Sequence, residues 1–577
     1  MKALLNATNT TSRLTPLYRL HPFPALQFPH SHFKLNSLNF HKISNRRTMA
    51  SSSPSSSSSS SLSSCVKVKD KIDLTEKENQ IFSRLLQVLH HFNLPTELRV
   101  AGGWVRDRLL GKDCHDIDIA IDNMMGKEFC EKINEYLSFA GEETQGIGVI
   151  ESNPDQSKHL ETATMRMFGE SIDFVNLRCE KYSEDSRIPT VEFGSAEQDA
   201  DRRDLTINSL FYNINKKSVE DFTGRGLADL KAGKIVTPLP PKETFLDDPL
   251  RVLRAIRFGA RFGFLLDEEL KEAAASEEVR VAIGDKISRE RIGKEIDLMI
   301  KDKQPVQAVT YVCNLQLFWV VFTLPAKSEP AVSDGCDRLC VASVDAAWNF
   351  LELLGCTTLN DVQRRFYLYS ALFLPLREVV YRDKKDKKVP VANYIFRNSL
   401  KLTNSDAETV MSIHSASERF ISLIPSLRTL TETETVEAGK GGEKFDVPLT
   451  SRPRILAGLL LREIKSLWRV ALLISTLLYP IDFDRAEVSP DKQNELEKRR
   501  NLFTTVETAI MKLGLENVWE MKPLVNGKDI MTVMQLRTGG PQVKEWQQKS
   551  LEWQLADPSR TSEQCIDWMR ESLAKLS

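Results

Sequence analysis

The chain has 577 residues, too many for one hydrophobic core, and this length predicts about three to four domains. Its 78 basic and 79 acidic residues leave a net charge of −1, and its composition is ordinary for a globular protein. The longest apolar run, Val470 to Tyr479, is too short to span a bilayer, which argues against a membrane protein. Nine cysteines without a CxxC pair predict reduced, mostly buried thiols rather than a structural zinc site.

The N-terminal segment is basic, rich in serine and free of acidic residues until Asp70. Residues 1–49 carry seven positive charges, and a serine run follows at 51–61. This composition is typical of a transit peptide, so we expect residues 1–69 to be a disordered targeting peptide and serine-rich linker, directed to the mitochondrion, the chloroplast or both. The alternative is an untargeted disordered tail. A second start at Met49 gives a cytoplasmic or nuclear form of net charge −8, because seven positive and no negative charges are removed.

An amphipathic helix and a set of short strands follow. Thr75 and Glu78 predict a capping box that starts a helix within 70–92. Because the strand-like segments are short and show no regular strand–helix–strand repeat, we expect a small mixed or antiparallel sheet rather than a doubly wound one. These segments lie at 98–101, 116–121, 147–151, 159–168, 171–177 and 190–193.

Beyond about Asn208 the pattern predicts helices almost to the end of the chain. A turn containing Asp221 and Gly224 joins the two parts, and we expect it to act as a hinge or a helix cap. Two polar segments, 382–388 and 431–444, interrupt the helices and are interpreted as exposed loops.

The most informative segment is AGGWVRDRLLGKDCHDIDIAI, residues 101–121. Asp116 and Asp118 lie two apart in an apolar strand, so their side chains point to the same face. Two adjacent carboxylates require a strong cation, and Mg²⁺ held between carboxylates and nucleotide phosphates is the usual solution. The turn at Gly102 and Gly103 can bring backbone N–H groups close to a triphosphate. Together these features predict a nucleotidyl transferase.

An arginine pair further along is ambiguous on its own. Arg202 and Arg203 precede a predicted helix, where guanidinium groups can hold phosphate oxygens. A solvent-facing cluster of salt bridges is the alternative for this pair.

A third charged segment, 245–264, contains arginines at a spacing of three. Asp248 and Arg251 are three residues apart, so on a helix they can hold each other and present an acceptor beside a set of donors to a nucleobase edge. Arg254 and Arg257 continue the stripe. The alternative is a surface stripe with an ordinary salt bridge.

Taken in order, these segments resemble the five motifs of the class II tRNA nucleotidyltransferases, the CCA-adding enzymes, within the polymerase-β-like superfamily. The resemblance covers just over a third of the chain, and five motifs in the right order are far more specific than any one of them. The matching segments are Gly102–Asp118, Arg202–Leu210, Asp221–Gly226, Asp247–Arg251 and Ser288–Glu295.

The resemblance implies an α+β head of the polymerase-β-like nucleotidyltransferase fold at 70–225, an all-α neck of nucleotide-selecting helices at 226–300, and a helical body and tail at 301–577. It implies template-independent addition of C, C and A to the 3′ end of tRNA from CTP and ATP, with release of pyrophosphate. The body and tail would bind the acceptor stem and elbow of tRNA. No DNA or membrane partner is implied, and we expect a monomer.

The resemblance also implies roles for single residues. Asp116 and Asp118 would be the catalytic residues and would hold two Mg²⁺ ions, one lowering the pKa of the tRNA 3′-hydroxyl and the other bracing the triphosphate. Asp173 and Glu161 are both candidates for a third carboxylate. The implied nucleotide-binding residues are Gly102, Gly103, Arg106, Arg202, Arg203, Asp248, Arg251, Arg254 and Arg257.

Two alternatives stay open. A bacterial-type poly(A) polymerase has the same head motifs, although the acidic balance of the body and the absence of a long basic C-terminal extension favour CCA addition. A catalytically inactive tRNA-binding protein is the second alternative, and the paired strand carboxylates argue against it. The fourth motif has Asp247 where glutamate is typical, a departure that bears on the switch from CTP to ATP.

Overall fold

A seven-stranded sheet lies at the centre of the N-terminal half of the protein. The computed structural model describes residues 66–150, 162–183, 186–355, 358–432, 452–481 and 492–574. The strands of this half are β1 (Leu98–Ala101), β2 (Ile117–Ile121), β3 (Ile147–Ile150), β4 (Thr162–Met167), β5 (Glu170–Asn176), β6 (Arg178–Ser183), β7 (Ser186–Phe193), β8 (Phe211–Asn213) and β9 (Ser218–Glu220).

The sheet is mixed, as expected from the short, irregularly connected strands. Its strand order is β3-β4-β5-β2-β1-β8-β9, in which β2 and β5 run parallel and the other neighbours run antiparallel. Strands β6 and β7 form a separate antiparallel hairpin. The mixed sheet followed by a mainly helical remainder confirms the expected fold class.

The expectation of continuous helix beyond Asn208 was wrong for its first part. Strands β8 and β9 occupy 211–213 and 218–220 and extend the sheet on the side of β1. All three residues of β8 are buried, so both of its faces are covered and the strand has no polar–apolar alternation. Without that alternation a three-residue strand leaves no periodic signal in the sequence.

The helices of this half pack against the sheet. The expected capping box starts α1, where Thr75 Oγ1 accepts from the N–H of Glu78 at 3.2 Å and the Glu78 carboxylate accepts from the N–H of Thr75 at 2.7 Å. Glu78 also accepts from the indole N–H of Trp104 at 2.9 Å, which ties α1 to α2. These helices are α1 (Glu76–His91), α2 (Gly103–Leu109), α3 (Gly126–Phe139), α4 (Ala196–Asp201) and α5 (Gly226–Ala232).

Five helices follow α5. A parallel pair of short strands accompanies them, with β10 (Lys234–Ile235) before the first helix and β11 (Leu265–Leu266) between the second and the third. The second of them, α7 (Leu250–Phe262), is almost wholly buried and packs against the fifth, α10 (Arg289–Lys301). It starts directly after Pro249 and ends at Gly263, whose φ of +69° suits a left-handed cap. The five are α6 (Pro241–Asp247), α7 (Leu250–Phe262), α8 (Glu268–Ala275), α9 (Glu277–Lys286) and α10 (Arg289–Lys301).

The rest of the described chain is helical except for one hairpin, β12 (Val380–Arg382) and β13 (Lys388–Pro390). This hairpin occupies the expected loop at 382–388, whereas most of the other expected loop, 433–444, lies outside the described residues. The helices are α11 (Pro305–Asn314), α12 (Phe318–Val321), α13 (Cys336–Leu354), α14 (Asp361–Leu372), α15 (Val391–Tyr394), α16 (Asn404–Glu432), α17 (Arg452–Ile464), α18 (Trp468–Leu478), α19 (Lys492–Lys512), α20 (Gly527–Val533), α21 (Pro541–Ala556) and α22 (Ser562–Ala574).

The C-terminal helices α20 to α22 enclose a hydrophobic core of their own. Trp546 and Trp553 are 5% and 8% exposed and pack around Trp568, so both side chains belong to this core. None of the helices in the described ranges is long and apolar enough to cross a membrane. The seven cysteines within those ranges are free thiols, as expected.

Candidate active site

Three carboxylates share one face of the central sheet. Asp118 lies in β2 between the buried Ile117 and Ile119, and Asp116 directly precedes that strand. The parallel register of β2 and β5 places Asp118 opposite Asp173. Because alternate strand residues share a face and parallel neighbours stay in register, all three carboxylates lie on the same side of the sheet.

The carboxylate cluster is electrostatically unfavourable without a cation. Partial burial, followed by the charges of Asp116 and Asp173, raises the pKa of Asp118 to about 6, against the opposing effect of Arg203. Thr164 Oγ1 donates to Asp173 Oδ1 at 2.7 Å and orients that carboxylate. The other candidate third carboxylate, Glu161, lies outside the described residues. Among the described residues, Asp173 is the candidate that the strand register places opposite Asp118.

The turn before α2 requires glycine. Gly102 has a φ of +74°, and a Cβ atom there would lie 2.7 Å from Nη1 of Arg203. Its N–H donates to the carbonyl of Leu210 at 2.9 Å, which ties the turn to the segment that follows the arginine pair. Gly103 begins α2, and a Cβ atom there would lie 3.5 Å from Nη2 of Arg106. The first and second sequence motifs are thus in direct contact.

The two adjacent arginines are oriented by one carboxylate, that of Asp199. Arg202 Nε donates to Asp199 Oδ1 at 2.9 Å, and Arg203 Nη2 donates to Oδ2 at 2.8 Å. Burial tends to raise the pKa of Asp199, but the two arginines lower it to about 2. Arg202 also donates to Glu180 on β6 at 2.9 Å, whereas Arg203 lies across Gly102. Arg203 is therefore the member of the pair nearer the carboxylate cluster.

Asp199 has a structural role that the sequence did not lead us to expect. The pattern DADRRD could have indicated this role, because Asp199 is three residues before Arg202 and four before Arg203, a spacing that brings side chains together on a helix.

Arg106 connects the sheet to α7. It is 4% exposed, and its Nε donates to Asp107 at 2.9 Å while Nη1 donates to the side chain of Asn208. Its guanidinium lies 5.0 Å and 4.7 Å from the ring centres of Phe258 and Phe262 on α7. These contacts give Arg106 a packing role between the two parts of the site.

Asp248 and Arg251 do not hold each other as the spacing suggested. Asp248 Oδ2 accepts from Arg291 Nη2 on α10 at 3.1 Å, and Oδ1 accepts from the N–H of Leu250 at 3.2 Å. Arg251 Nη2 instead donates to the carbonyl of Arg202 at 2.6 Å. Asp248 has an extended backbone before Pro249 and precedes α7, so helical i,i+3 geometry does not apply.

The rest of the arginine stripe connects α7 to its neighbours. Arg254 Nε donates to Asp204 at 2.7 Å. Burial tends to raise the pKa of Asp204, but Arg254 and a hydrogen bond from Asn208 hold it at about 2. Arg257 Nε donates to Glu295 on α10 at 2.6 Å, and both side chains are buried. Arg254 keeps partial access to solvent, whereas Arg257 is enclosed between the helices.

One cleft of about 970 Å³ is lined both by Asp116 and Asp118 and by the start of α7. Arg291, in the fifth motif, also lines it, and its buried Nη1 has no hydrogen-bond partner within the described residues. The sequence connected this motif to the site only through the family resemblance, which assigned no role to Arg291. The expected site residues that border the cleft are Gly102, Gly103, Arg106, Asp116, Asp118, Arg202, Arg203, Asp248, Arg251 and Arg254.

The turn with Asp221 and Gly224 caps a helix. Asp221 Oδ2 accepts from the N–H of Leu227 in the first turn of α5 at 2.9 Å, and Oδ1 accepts from the Thr223 hydroxyl at 2.8 Å. Gly224 has a φ of +69°, which glycine adopts without steric cost. The structure thus joins β9 to α5 through an ordered turn.

The donor set at the carboxylate cluster suits a hard divalent cation that is only partly held by protein. Within the described ranges no three His, Cys, Asp or Glu side chains converge as a complete metal site. Mg²⁺ typically takes one or two carboxylates together with substrate phosphates and water, which Asp116 and Asp118 fit. A cation there also offsets the burial and the mutual repulsion that together raise the pKa of Asp118.

The fold and the cleft define a polymerase-β-like nucleotidyltransferase, and the family described as Poly A polymerase head domain matches residues 98–236. A mitochondrial CCA tRNA nucleotidyltransferase of Saccharomyces cerevisiae is 35% identical over 545 residues, covering 88% of this chain and 94% of the yeast protein. The chain belongs to the CCA tRNA nucleotidyltransferase family.

Two further comparisons concern the fold and the poly(A) polymerase alternative. The solved Bacillus stearothermophilus CCA-adding enzyme in complex with CTP shares the fold, with a TM-score of 0.57 and 18% identity over 87% of this chain and 99% of that one. Poly(A) polymerase I of Escherichia coli is 32% identical over 193 residues, 33% of this chain and 40% of that protein. The similarity to the poly(A) polymerase is therefore confined to a third of the chain.

Proposed function

We propose that this chain adds C, C and A to the 3′ end of tRNA without a nucleic-acid template, using CTP and ATP and releasing pyrophosphate. The observation that carries the proposal is one cleft in which the carboxylates of Asp116 and Asp118 face the same space as Asp248 and Arg251. The first pair suits phosphoryl chemistry, and the second presents an acceptor and donors to a base edge. Such a site selects a nucleotide by protein side chains.

In this proposal Asp116 and Asp118 are the catalytic residues and hold two Mg²⁺ ions, with Asp173 as the neighbouring third carboxylate. When bound, Mg²⁺ lowers the pKa of the attacking 3′-hydroxyl and neutralises charge on the triphosphate. Arg203 is held beside Gly102 and offers its guanidinium to phosphate oxygens. The turn at Gly102 and Gly103 has no side chains, so Arg203 can lie against it and the triphosphate can approach its backbone closely.

Base selection is assigned to the start of α7. Asp248 supplies an acceptor, and Arg251 and Arg291 supply donors around it. Arg254 is placed at the sugar or phosphates because its side chain is 36% exposed. We assign Arg257 to positioning α7 rather than to the nucleotide, because it is buried against Glu295. Arg106 and Arg202 likewise position the site through the contacts described above.

The remaining assignments concern organisation and location. We propose a head at 70–225, a neck at 226–300, and a body and tail at 301–577 that bind the acceptor stem and elbow of tRNA as a monomer, without a DNA or membrane partner. We further propose that residues 1–69 direct the protein to the mitochondrion, the chloroplast or both, and that Asp221 and Gly224 serve as a hinge. A start at Met49 yields the cytoplasmic or nuclear form.

Stepwise incorporation tests the reaction. The full chain is incubated with Mg²⁺ and a tRNA transcript that ends at the discriminator base, first with CTP, then ATP, then all four nucleotides. The proposal expects two C residues from CTP, one A after them, and no further growth. Continued A addition would instead indicate a poly(A) polymerase, and no incorporation with retained tRNA binding would indicate an inactive binding protein.

A further inference from the structure

An exposed basic hairpin lies in the helical part of the chain, outside the nucleotide cleft. Strands β12 and β13 form it, with Arg382 opposite Lys388 at the end of the ladder. The turn between them is rich in lysine, and these side chains project into solvent. The exposed lysines of the hairpin are Lys384, Lys385, Lys387 and Lys388.

The two carboxylates of this turn bond to groups of the hairpin itself. Asp383 Oδ1 accepts from the backbone N–H groups of Lys385 and Lys387, at 2.8 Å and 2.9 Å, and these bonds lower the pKa of Asp383. Asp386 pairs with Arg382 at 3.0 Å. Within the described ranges the four lysines have no ion-pair partner, so their positive charge is available to a ligand.

A pair of aromatic rings and another cation adjoin the lysines. Tyr381 on β12 packs edge-on against Tyr394 at 5.4 Å between ring centres, and both are partly exposed. Arg397 is exposed, lies close enough to Tyr381 to affect its ionisation, and has no ion pair within the described ranges. Glu329 adds one carboxylate, 3.8 Å from Arg382. We call the lysines with Arg397, Tyr381 and Tyr394 the basic hairpin surface.

The basic hairpin surface is linked to the base-selecting end of the cleft. Strand β13 runs directly into α15 and then into a π-helical turn, Ile395–Ser399. The carbonyl of Ser399 accepts from Arg289 Nε on α10 at 2.8 Å. Two residues further on the same helix, Arg291 donates to Asp248. The hairpin is thus attached by a short series of contacts to the helix that lines the nucleotide site.

We infer that the basic hairpin surface binds the phosphate backbone of RNA, and, on the proposed function, that this RNA is the substrate tRNA. The chain as a whole carries a net charge of −1, so attraction to a polyanion requires a local concentration of positive charge. Unpaired lysines beside partly exposed aromatic rings are the composition that nucleic-acid surfaces use. An acidic protein partner would use the lysines but has no need of the tyrosine pair.

Salt-dependent binding tests this inference without relying on catalysis. In the full chain, Lys384, Lys385, Lys387 and Lys388 are replaced together by alanine, and in a matched control by arginine. The turn should survive, because Lys385 and Lys387 hold Asp383 through backbone N–H groups. The Kd for a tRNA transcript is measured by fluorescence anisotropy from roughly 50 to 200 mM salt, with the KM for CTP measured separately.

The alanine variant should bind tRNA at least severalfold more weakly at low salt. The slope of its plot of log Kd against log salt should decrease by about 1 for each phosphate that the variant no longer binds. The arginine variant should retain both values, and the KM for CTP should not change. Unchanged affinity and slope in the alanine variant would overturn the inference and leave the lysines to an acidic partner.

Two further measurements keep the test decisive. If the fourfold variant proves unstable, a Lys384→Ala, Lys387→Ala double variant should give about half the change in slope, and no change in that folded variant also overturns the inference. Failure of the wild type to add CCA, with a normal salt slope for RNA binding, would reject the proposed function alone.

Discussion

The carboxylate of Asp248 accepts a hydrogen bond of 3.1 Å from Nη2 of Arg291, a residue 43 positions further along the chain. Arg251, the neighbour that the spacing suggested, is turned instead toward the carbonyl of Arg202. The end of the cleft to which we assign base selection is therefore assembled from α10 and the start of α7 together. A change in either helix should affect nucleotide recognition.

Replacing Arg291 by alanine should raise the KM for both CTP and ATP by about tenfold or more, because a charge-assisted hydrogen bond to Asp248 contributes about 1.5–3 kcal/mol. Steady-state kinetics with each nucleotide measures this. Lys294→Ala is the matched control, since Lys294 is exposed on the same helix. Equal effects of the two substitutions would show that only helix stability had changed.

Replacing Asp118 by asparagine should abolish nucleotide incorporation while raising the melting temperature slightly in the absence of Mg²⁺. The substitution removes a partly buried charge that is repelled by Asp116 and Asp173. Incorporation assays and thermal unfolding measure the two effects. Asp113→Asn, at a side chain that is 89% exposed, should leave both unchanged. Near-normal activity of the Asp118 variant would contradict the catalytic assignment.

Replacing Gly102 by alanine should lower both stability and activity. A φ of +74° with a ψ of −120° lies outside the left-handed helical region and costs an L-residue about 1–3 kcal/mol, and the new Cβ would lie 2.7 Å from Arg203 Nη1, so the guanidinium must move. Gly141→Ala is a close control, because Gly141 has a φ of +72° with open space around its Cβ position. The control should lose stability only, and loss of activity in both variants would argue against a specific role for Gly102.

Stability should fall as the pH drops from about 6.5 to about 4, because His414 is buried as the neutral form. Burial lowers its pKa to about 4, and its Nε2 lies 2.8 Å from the carbonyl of Ser370. The unfolded chain binds a proton near pH 6.5 that the folded chain binds only near pH 4, so up to about 3 kcal/mol is lost on acidification through this range.

Chemical denaturation at pH 7.5 and pH 5 measures this loss. His414→Asn has no proton to gain, so its free energy of unfolding should change less between the two pH values than that of the wild type. Equal pH dependence of the two proteins would show that His414 is not responsible.

Patterns confined to a few neighbouring residues were reliable guides to this protein. The Thr75–Glu78 capping box, the alternation around Asp116 and Asp118, and the glycine turn at Gly102 each depend on geometry within one element, and the structure contains each of them. Features without such local signals could not be predicted. Strand β8 is buried on both faces, and Asp248 pairs with Arg291 on a helix 43 residues further along the chain.

The sequence by itself determined the elements with a clear periodicity or cap, the carboxylate face and the order of motifs that marks a nucleotidyltransferase, because these follow from backbone periodicity and turn chemistry. Only the tertiary structure decided the partner of each charged group. It placed Asp118 opposite Asp173, and it paired Arg291 with Asp248 and Arg257 with Glu295. The physical reason is that a long arginine side chain can reach several acceptors, and the packing of the helices determines which one lies within hydrogen-bonding distance.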